Sequence, residues 1–265
     1  MGRTRAVGQA LALLVVAGLG GFAVRSLLAR QAAIARRRIG KPLGEIAVDA
    51  DRVWRRRLEG RPLELLLLGD SIAAGLGAER RKDTLGARLA KGLARRLHRP
   101  VRLRTAAVVG SESSALAVQL ESLDDGYAPD AAVIVVGGND VTHRVPVRES
   151  VAHLRAAIEQ LHARGAAVVV GTCPDLGALR PVPQPLRALV SRLSRQLAAA
   201  QTASARHAGA RAVSLRAAVG PFFVLQPDEM FSLDRFHPSA LGYRRTADAL
   251  LPALVEAVTD PGRRP

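Results

Sequence analysis

From Leu63 onward, short apolar runs alternate with longer stretches in which apolar residues recur at helical spacing. Leu63 to Leu68, Val101 to Val109, Ala131 to Val136, Ala166 to Val170 and Ala210 to Leu215 read as strands. Between them, Thr84 to His98 repeats leucine every fourth residue at Leu85, Leu89, Leu93 and Leu97, a helical period. Ser111 to Leu123, Val147 to Arg164, Pro185 to His207 and Pro238 to Val258 read as further helices, and Val151, Leu154, Ile158 and Leu161 share one face of the second of these. Arg99-Pro100, Gly137-Gly138 and Gly165 punctuate the pattern where elements must end. The middle strands are apolar on both faces, as a sheet covered on both sides requires. The alternation predicts a three-layer α/β/α domain built on a parallel sheet of about five strands.

In such a sheet the residues that follow the strands converge on one edge, where ligands bind. Four strands end beside notable groups: Ser71 after the first, Gly110 after the second, Asn139 after the third and Asp175 after the fourth. Ser71 stands where a buried strand stops at Gly69-Asp70-Ser71 and a helix begins, a place where free backbone N–H groups favour developing negative charge. That makes it a candidate nucleophile. Asp234-Arg235-Phe236-His237-Pro238 offers the base it needs. Pro238 biases His237 away from helix and suits the first helical position itself. Asp234, three residues earlier, is placed to fix the imidazole tautomer, the role of the acid in a Ser-His-Asp triad. Gly69-x-Ser71 has Ala73 where the common α/β-hydrolase elbow has its second glycine, and Gly75-Leu76-Gly77 lacks the third glycine of a dinucleotide loop.

Four segments in order resemble the blocks of the GDSL/SGNH hydrolase family: Gly69-Asp70-Ser71 with Ala74-Gly75, Val108-Val109-Gly110-Ser111, Gly137-Gly138-Asn139-Asp140, and Asp234 to Pro238 followed by Ser239, Gly242 and Tyr243. The resemblance covers roughly residues 61–258. It implies a flavodoxin-like sheet and a serine ester hydrolase without metal or organic cofactor. Ser71, His237 and Asp234 would form the triad, and the N–H groups of Ser71 and Gly110 with the Asn139 amide would form the oxyanion hole. The second block lacks the asparagine often found shortly before its glycine, and Arg235 stands where the family often has a small residue; it would either crowd the pocket or extend into solvent. Acyl transfer to a sugar or lipid hydroxyl would use the same residues, and a basic membrane-surface binding module with a vestigial triad is the non-enzymatic alternative.

Composition alters this picture at the margins. Four of the five phenylalanines, Phe222, Phe223, Phe231 and Phe236, fall in the fifteen residues before His237, where with Met230 and Val224 they would either line an acyl pocket or pack beneath the loop. Asp140 reads as a cap, His143 as an edge residue within reach of substrate, and Cys173, the single cysteine, as buried filler. The net charge of +16 is almost wholly arginine and scattered, which suits solvated faces as well as an anionic surface. Aromatics at 3% argue against a stacking platform for nucleic acid, so the expected partner is an ester, either an acyl lipid or an acylated sugar.

Ahead of the domain, Ala6 to Val24 is an apolar stretch of 19 residues between Arg3-x-Arg5 and the run Arg36-Arg37-Arg38. It reads as a signal peptide ending near Gly21-Phe22-Ala23 or as an uncleaved anchor, either of which puts the domain outside the cytoplasm, although the heavier basic flank follows the segment rather than precedes it. The expected organisation is residues 1–40 as this segment and its flank, 41–60 as a linker with a short helix, 61–258 as the hydrolase domain and 259–265 as a frayed tail.

Overall fold

The computed structural model describes residues 2–260, with side chains from residue 20 onward. Its strands are β1 (Arg52–Trp54), β2 (Leu63–Gly69), β3 (Val101–Thr105), β4 (Ala131–Val135), β5 (Ala167–Gly171) and β6 (Arg211–Val213). The helices are α1 (Gly2–Ile39), α2 (Ser71–Ala74), α3 (Leu85–Leu97), α4 (Ala115–Glu121), α5 (Gly138–His143), α6 (Val147–Ala163), α7 (Leu186–His207), α8 (Leu215–Ala218), α9 (Gly220–Leu225), α10 (Pro227–Met230) and α11 (Ala240–Thr259). The strands form one sheet in the order β1-β3-β2-β4-β5-β6. β2 to β6 are parallel, and only β1 runs antiparallel, against β3.

The two-residue period of the strands divides the core in two. Leu63, Leu65 and Leu67 of β2, with Val133 and Val135 of β4, face α3 and α11 and meet Leu89, Leu93, Tyr243 and Leu250. Leu66 and Leu68, with Ile134 and Val168, face the other way onto Leu116, Leu120, Leu154 and Ile158 of α4 and α6. The central strands are therefore apolar on both faces, apart from Glu64 near the start of β2. The register aligns Leu65 with Ala131 and Ala131 with Ala167, so the carboxyl ends of β2, β4 and β5 finish side by side.

Several boundaries differ from the sequence reading. The sheet has six strands rather than about five, because Arg52–Trp54, expected in a linker with a short helix, pairs with the edge of β3. Val101 to Val109 is a strand only to Thr105; beyond it the chain leaves the ladder to reach the ligand edge, keeping bonds from Ala106 N–H to the Leu67 carbonyl and from Val108 N–H to the Gly69 carbonyl. Helix α4 starts at Ala115 rather than Ser111. Pro238 is not the first residue of α11: Ser239 caps that helix through Leu241 and Gly242, while Pro238 bridges back to Phe231. The helix also runs through Thr259, expected in the frayed tail, of which residues 261–265 lie outside the described ones.

The N-terminal expectation also changes. Helix α1 continues through the apolar segment to Ile39. Among the described residues no helix is long and apolar enough to cross a membrane. Residues 6–19, most of the presumed anchor or signal peptide, lie outside the residues whose side chains are described, so attachment through that segment gains no support. What the structure does describe is the second half of α1 packed on the domain, where Gln31 and Ala35 are buried.

Candidate active site

The turn that presents Ser71 is shaped by Gly69 and Asp70. Gly69 has φ +128°, and a Cβ there would lie 1.9 Å from the Val135 carbonyl oxygen on the neighbouring strand. Only glycine lets β2 run this close to β4 while turning. Asp70 then caps α2 by accepting the Ile72 N–H at 2.9 Å, which leaves Ser71 as the first residue of the helix. Two buried glutamines hold the surrounding strand ends. Gln119 accepts the Gly69 N–H and donates to the Gly69 carbonyl, both at 2.8 Å. Gln201 accepts the Cys173 N–H at 2.7 Å and donates to the Val136 carbonyl at 2.9 Å. Each amide supplies in one side chain the donor and acceptor that a further strand would have supplied. Sequence reasoning missed both. Their signal was positional: Gln119 shares a helix face with Leu116 and Leu120, and Gln201 shares one with Leu197, Ala198 and Ala205.

The chain brings Ser71, His237 and Asp234 together across 166 residues. Ser71 Oγ lies 2.8 Å from His237 Nε2, and His237 Nδ1 lies 2.5 Å from Asp234 Oδ2. The second Asp234 oxygen accepts the N–H groups of Phe236 and His237, each at 2.9 Å, so the carboxylate is fixed in its loop before it orients the ring. Burial works against the charged form of Asp234, but the hydrogen bonds from the His237 ring and backbone outweigh it and hold the carboxyl below the usual aspartate range. The loop carrying these residues rests on Gly77, where a Cβ would meet the Pro238 carbonyl at 2.5 Å. Tyr243 Oη, fully buried, ties the same region down by donating to the Leu76 carbonyl at 2.6 Å.

Ser71 and His237 open onto a narrow cavity with about 70 Å³ reachable by the centre of a water molecule. Leu176, Leu179, Val219, Phe223, Phe231 and Phe236 make its apolar wall, and Asn139 lines it together with Ser71. Phe222 does not join them; it is half-buried under the Arg245 guanidinium, 4.6 Å from the ring centre. Met230 is wholly buried and Val224 is exposed, and neither lines the cavity. Arg235 is exposed, in the left-handed region at φ +55°, and stays outside the cavity, so it does not crowd it.

The two loops expected to supply further oxyanion donors are joined to each other. Asn139 Nδ2 donates to the Ser111 carbonyl at 2.9 Å, Asp140 accepts the Ser113 N–H at 3.1 Å, and the exposed His143 ring meets Glu112 at 2.6 Å. Asp140 also accepts from Ser150 Oγ at 2.6 Å, which makes it a buried tie between three segments rather than a simple cap. Gly110 has φ +85° and lies exposed on the loop after β3, outside the residues that line the cavity. Asp175 lines the cavity but is bound to Ser191 Oγ and the Gly177 N–H. Cys173 is fully buried, and burial pushes its thiol well above the ordinary range, as suits a packing residue.

Asp70, beside Ser71, is a second perturbed acid at the site. Burial pushes its carboxyl up to about 6, against the pull of the Ile72 N–H and His237, with the neighbouring Asp140 adding to the rise. A raised acid binds its proton more tightly in the folded state, so its contribution to stability falls as pH rises from about 4 to about 6. Asp70→Asn, which keeps an acceptor for the Ile72 N–H, is therefore expected to gain on the wild type by up to about 3 kcal/mol between pH 4 and pH 7. Urea unfolding at the two pH values checks this; a difference between the two proteins that does not change with pH refutes it.

Residues 67–245 match the model of the GDSL-like lipase/acylhydrolase family. The chain belongs to that family. A GDSL-like esterase of Mycobacterium tuberculosis is 42% identical over 208 residues, which are 78% of this chain and 66% of that protein, so the match spans a little under two thirds of the relative's length. An acetylxylan esterase from Geobacillus stearothermophilus superposes with a TM-score of 0.55 at 20% identity, covering 74% of this chain and 95% of that one. An α/β hydrolase from a lake metagenome gives 0.54 at 20% identity, covering 76% and 99%. Likeness at that identity speaks for the SGNH hydrolase fold. The family match begins inside β2, so α1 and β1 of this GDSL-family chain lie ahead of it.

Proposed function

We propose that this chain hydrolyses carboxylic esters with short acyl groups, acylated sugars among them. The observation that carries the reading is the continuous line of hydrogen bonds from Asp234 through His237 to Ser71, ending at an apolar cavity. In this reading Ser71 Oγ attacks the acyl carbon and its proton passes to His237 Nε2. Asp234, held ionised by its hydrogen bonds, stabilises the imidazolium that forms. The Ser71 N–H and the Asn139 amide, which line the cavity, receive the oxyanion, and the Gly110 N–H, outside that lining, is the third donor of this reading; one such donor is typically worth about 10²–10³ in rate. The tetrahedral species collapses, the alcohol leaves with the proton from His237, and water releases the acid by the same steps in reverse. The acyl group occupies the cavity between Leu179, Phe223 and Phe236, whose narrowness supports short chains over long ones.

Incubation with a fluorophosphonate tests the assignment. The folded chain is expected to take the label covalently on Ser71 and to lose p-nitrophenyl acetate hydrolysis in step with labelling, while Ser71→Ala takes no label. A folded chain that hydrolyses the ester yet resists the probe, or a Ser71→Ala variant that keeps its rate, overturns it.

A further inference from the structure

The cavity wall formed by Pro174, Asp175, Leu176, Ala178 and Leu179 belongs to the long connection between β5 and α7. Part of this connection is pinned to α7 itself, through Ser194 Oγ accepting the Leu176 N–H and Ser191 Oγ donating to Asp175. Its far half, residues 180–185, bonds to the first turn of α7 through the Arg187 N–H on the Pro183 carbonyl and the Ala188 N–H on Gln184 Oε1, and it is also held by α1. Gln31 of α1 donates its amide to the Gln184 carbonyl and accepts the Leu186 N–H at 2.9 Å, so one side chain brackets Pro185. Arg38, two turns further along α1, donates to the Pro181 carbonyl at 3.3 Å. Between them Ala35 packs into the cluster that contains Leu176, Leu179 and Val182, against which Phe231 and Phe236 also lie. Leu176, Leu179, Phe231 and Phe236 are cavity residues.

Gln31 is only 7% exposed, and a buried amide is expected to spend its hydrogen bonds on the structure that surrounds it. Here it spends them on the Gln184 carbonyl and the Leu186 N–H, where the connection that carries the cavity wall at residues 174–179 enters α7. This helix precedes residues 67–245, the part of the chain that matches the family model.

We propose that α1, through Gln31 and Ala35, sets the depth of the acyl cavity and so its preference for acyl chain length. Gln31 is a positioning residue: it touches the loop, not the substrate. The proposal rests on the reading of the cavity as the acyl site. With the loop fixed, Leu176 and Leu179 close the cavity against longer chains. With the loop released, the same apolar side chains can move aside and admit them.

The test compares kcat/KM for p-nitrophenyl acetate and hexanoate in the full chain and in Gln31→Ala and Gln31→Glu. The wild type is expected to favour acetate by about tenfold or more, the scale at which a tight apolar pocket resolves added methylenes. Gln31→Ala should shrink that ratio by about threefold or more, mainly through the KM for hexanoate, with the rate of fluorophosphonate labelling unchanged. Gln31→Glu keeps the acceptor for Leu186 but has no donor for the Gln184 carbonyl, and should fall between the two. It also decides the matter if Gln31→Ala does not fold. A merely structural role would lower stability or both rates together and leave the ratio alone. Wild-type ratios in the folded variants overturn the proposal. Hydrolysis that survives Ser71→Ala would instead overturn the reading of the site, whatever position 31 does.

Discussion

Asp234→Asn is expected to lower kcat by about 10⁴-fold while leaving KM for p-nitrophenyl acetate nearly unchanged. The oxygen of the new amide can keep the Phe236 and His237 N–H groups, so the loop that presents His237 should survive. What changes is the atom facing His237 Nδ1. A carboxylate oxygen accepts a proton there, whereas an amide NH₂ donates one, and the imidazole must then carry its own proton on Nε2. That nitrogen lies 2.8 Å from Ser71 Oγ and can no longer take the serine proton. The variant should therefore fold, melt within a few degrees of the wild type and turn over very slowly. Circular dichroism melting beside steady-state kinetics checks both halves. A folded variant within tenfold of the wild-type rate would mean that Asp234 does not orient the base.

Gly69→Ala should produce the largest loss of stability, more than about 4 kcal/mol. Two causes add. The residue has φ +128°, a region that side chains rarely adopt, and its Cβ would lie 1.9 Å from the Val135 carbonyl oxygen and 2.7 Å from its carbon. Neither neighbour is a flexible side chain; both are backbone of β4, bound in the sheet on each side. Relief would require β2 and β4 to part at the end that carries Ser71, breaking the bonds from Gln119 to Gly69 as well. Guanidinium unfolding, or the soluble yield of the variant, measures this. A midpoint close to that of the wild type would show that the strands separate at little cost.

The parts of this protein that could be read from its sequence are those in which one physical requirement fills a whole segment. A parallel strand covered on both faces must be apolar over most of its length, so β2 from Leu65 onward, β4 and β5 announced themselves, and their ends carried Ser71 and Asn139 to one edge. The spacing of Asp234 and His237 across a tight turn was readable for the same reason, since both residues act within one loop. Elements built on a single contact were not. β1 is three residues long, and its Arg52 and Trp54 are stabilised by pairing with β3, which no local pattern records. Gln119 and Gln201 look like solvated helix residues until the strand ends they satisfy are seen. The phenylalanines misled in part because a run of aromatics on short helices points several ways: Phe223 faces the cavity while Phe222, next to it, lies under Arg245. The N-terminal helix was read from its apolar first half, whereas the contacts that tie it to the domain come from Gln31, Ala35 and Arg38 in its polar second half.

The two margins of the sheet bear on how this chain behaves in crowded solution. A parallel sheet with long bare edges offers rows of unpaired N–H and C=O groups to any other strand it meets. Here the outermost strands, β1 and β6, have three residues each, and both begin with an arginine, Arg52 and Arg211. β1 runs antiparallel to β3 and covers its residues 101–103, and Asp51 just before β1 accepts the Thr105 N–H. Short, charged margins leave a second molecule too little backbone to pair with, so the sheet that aligns Ser71 and Asn139 is also closed to growth by addition of strands.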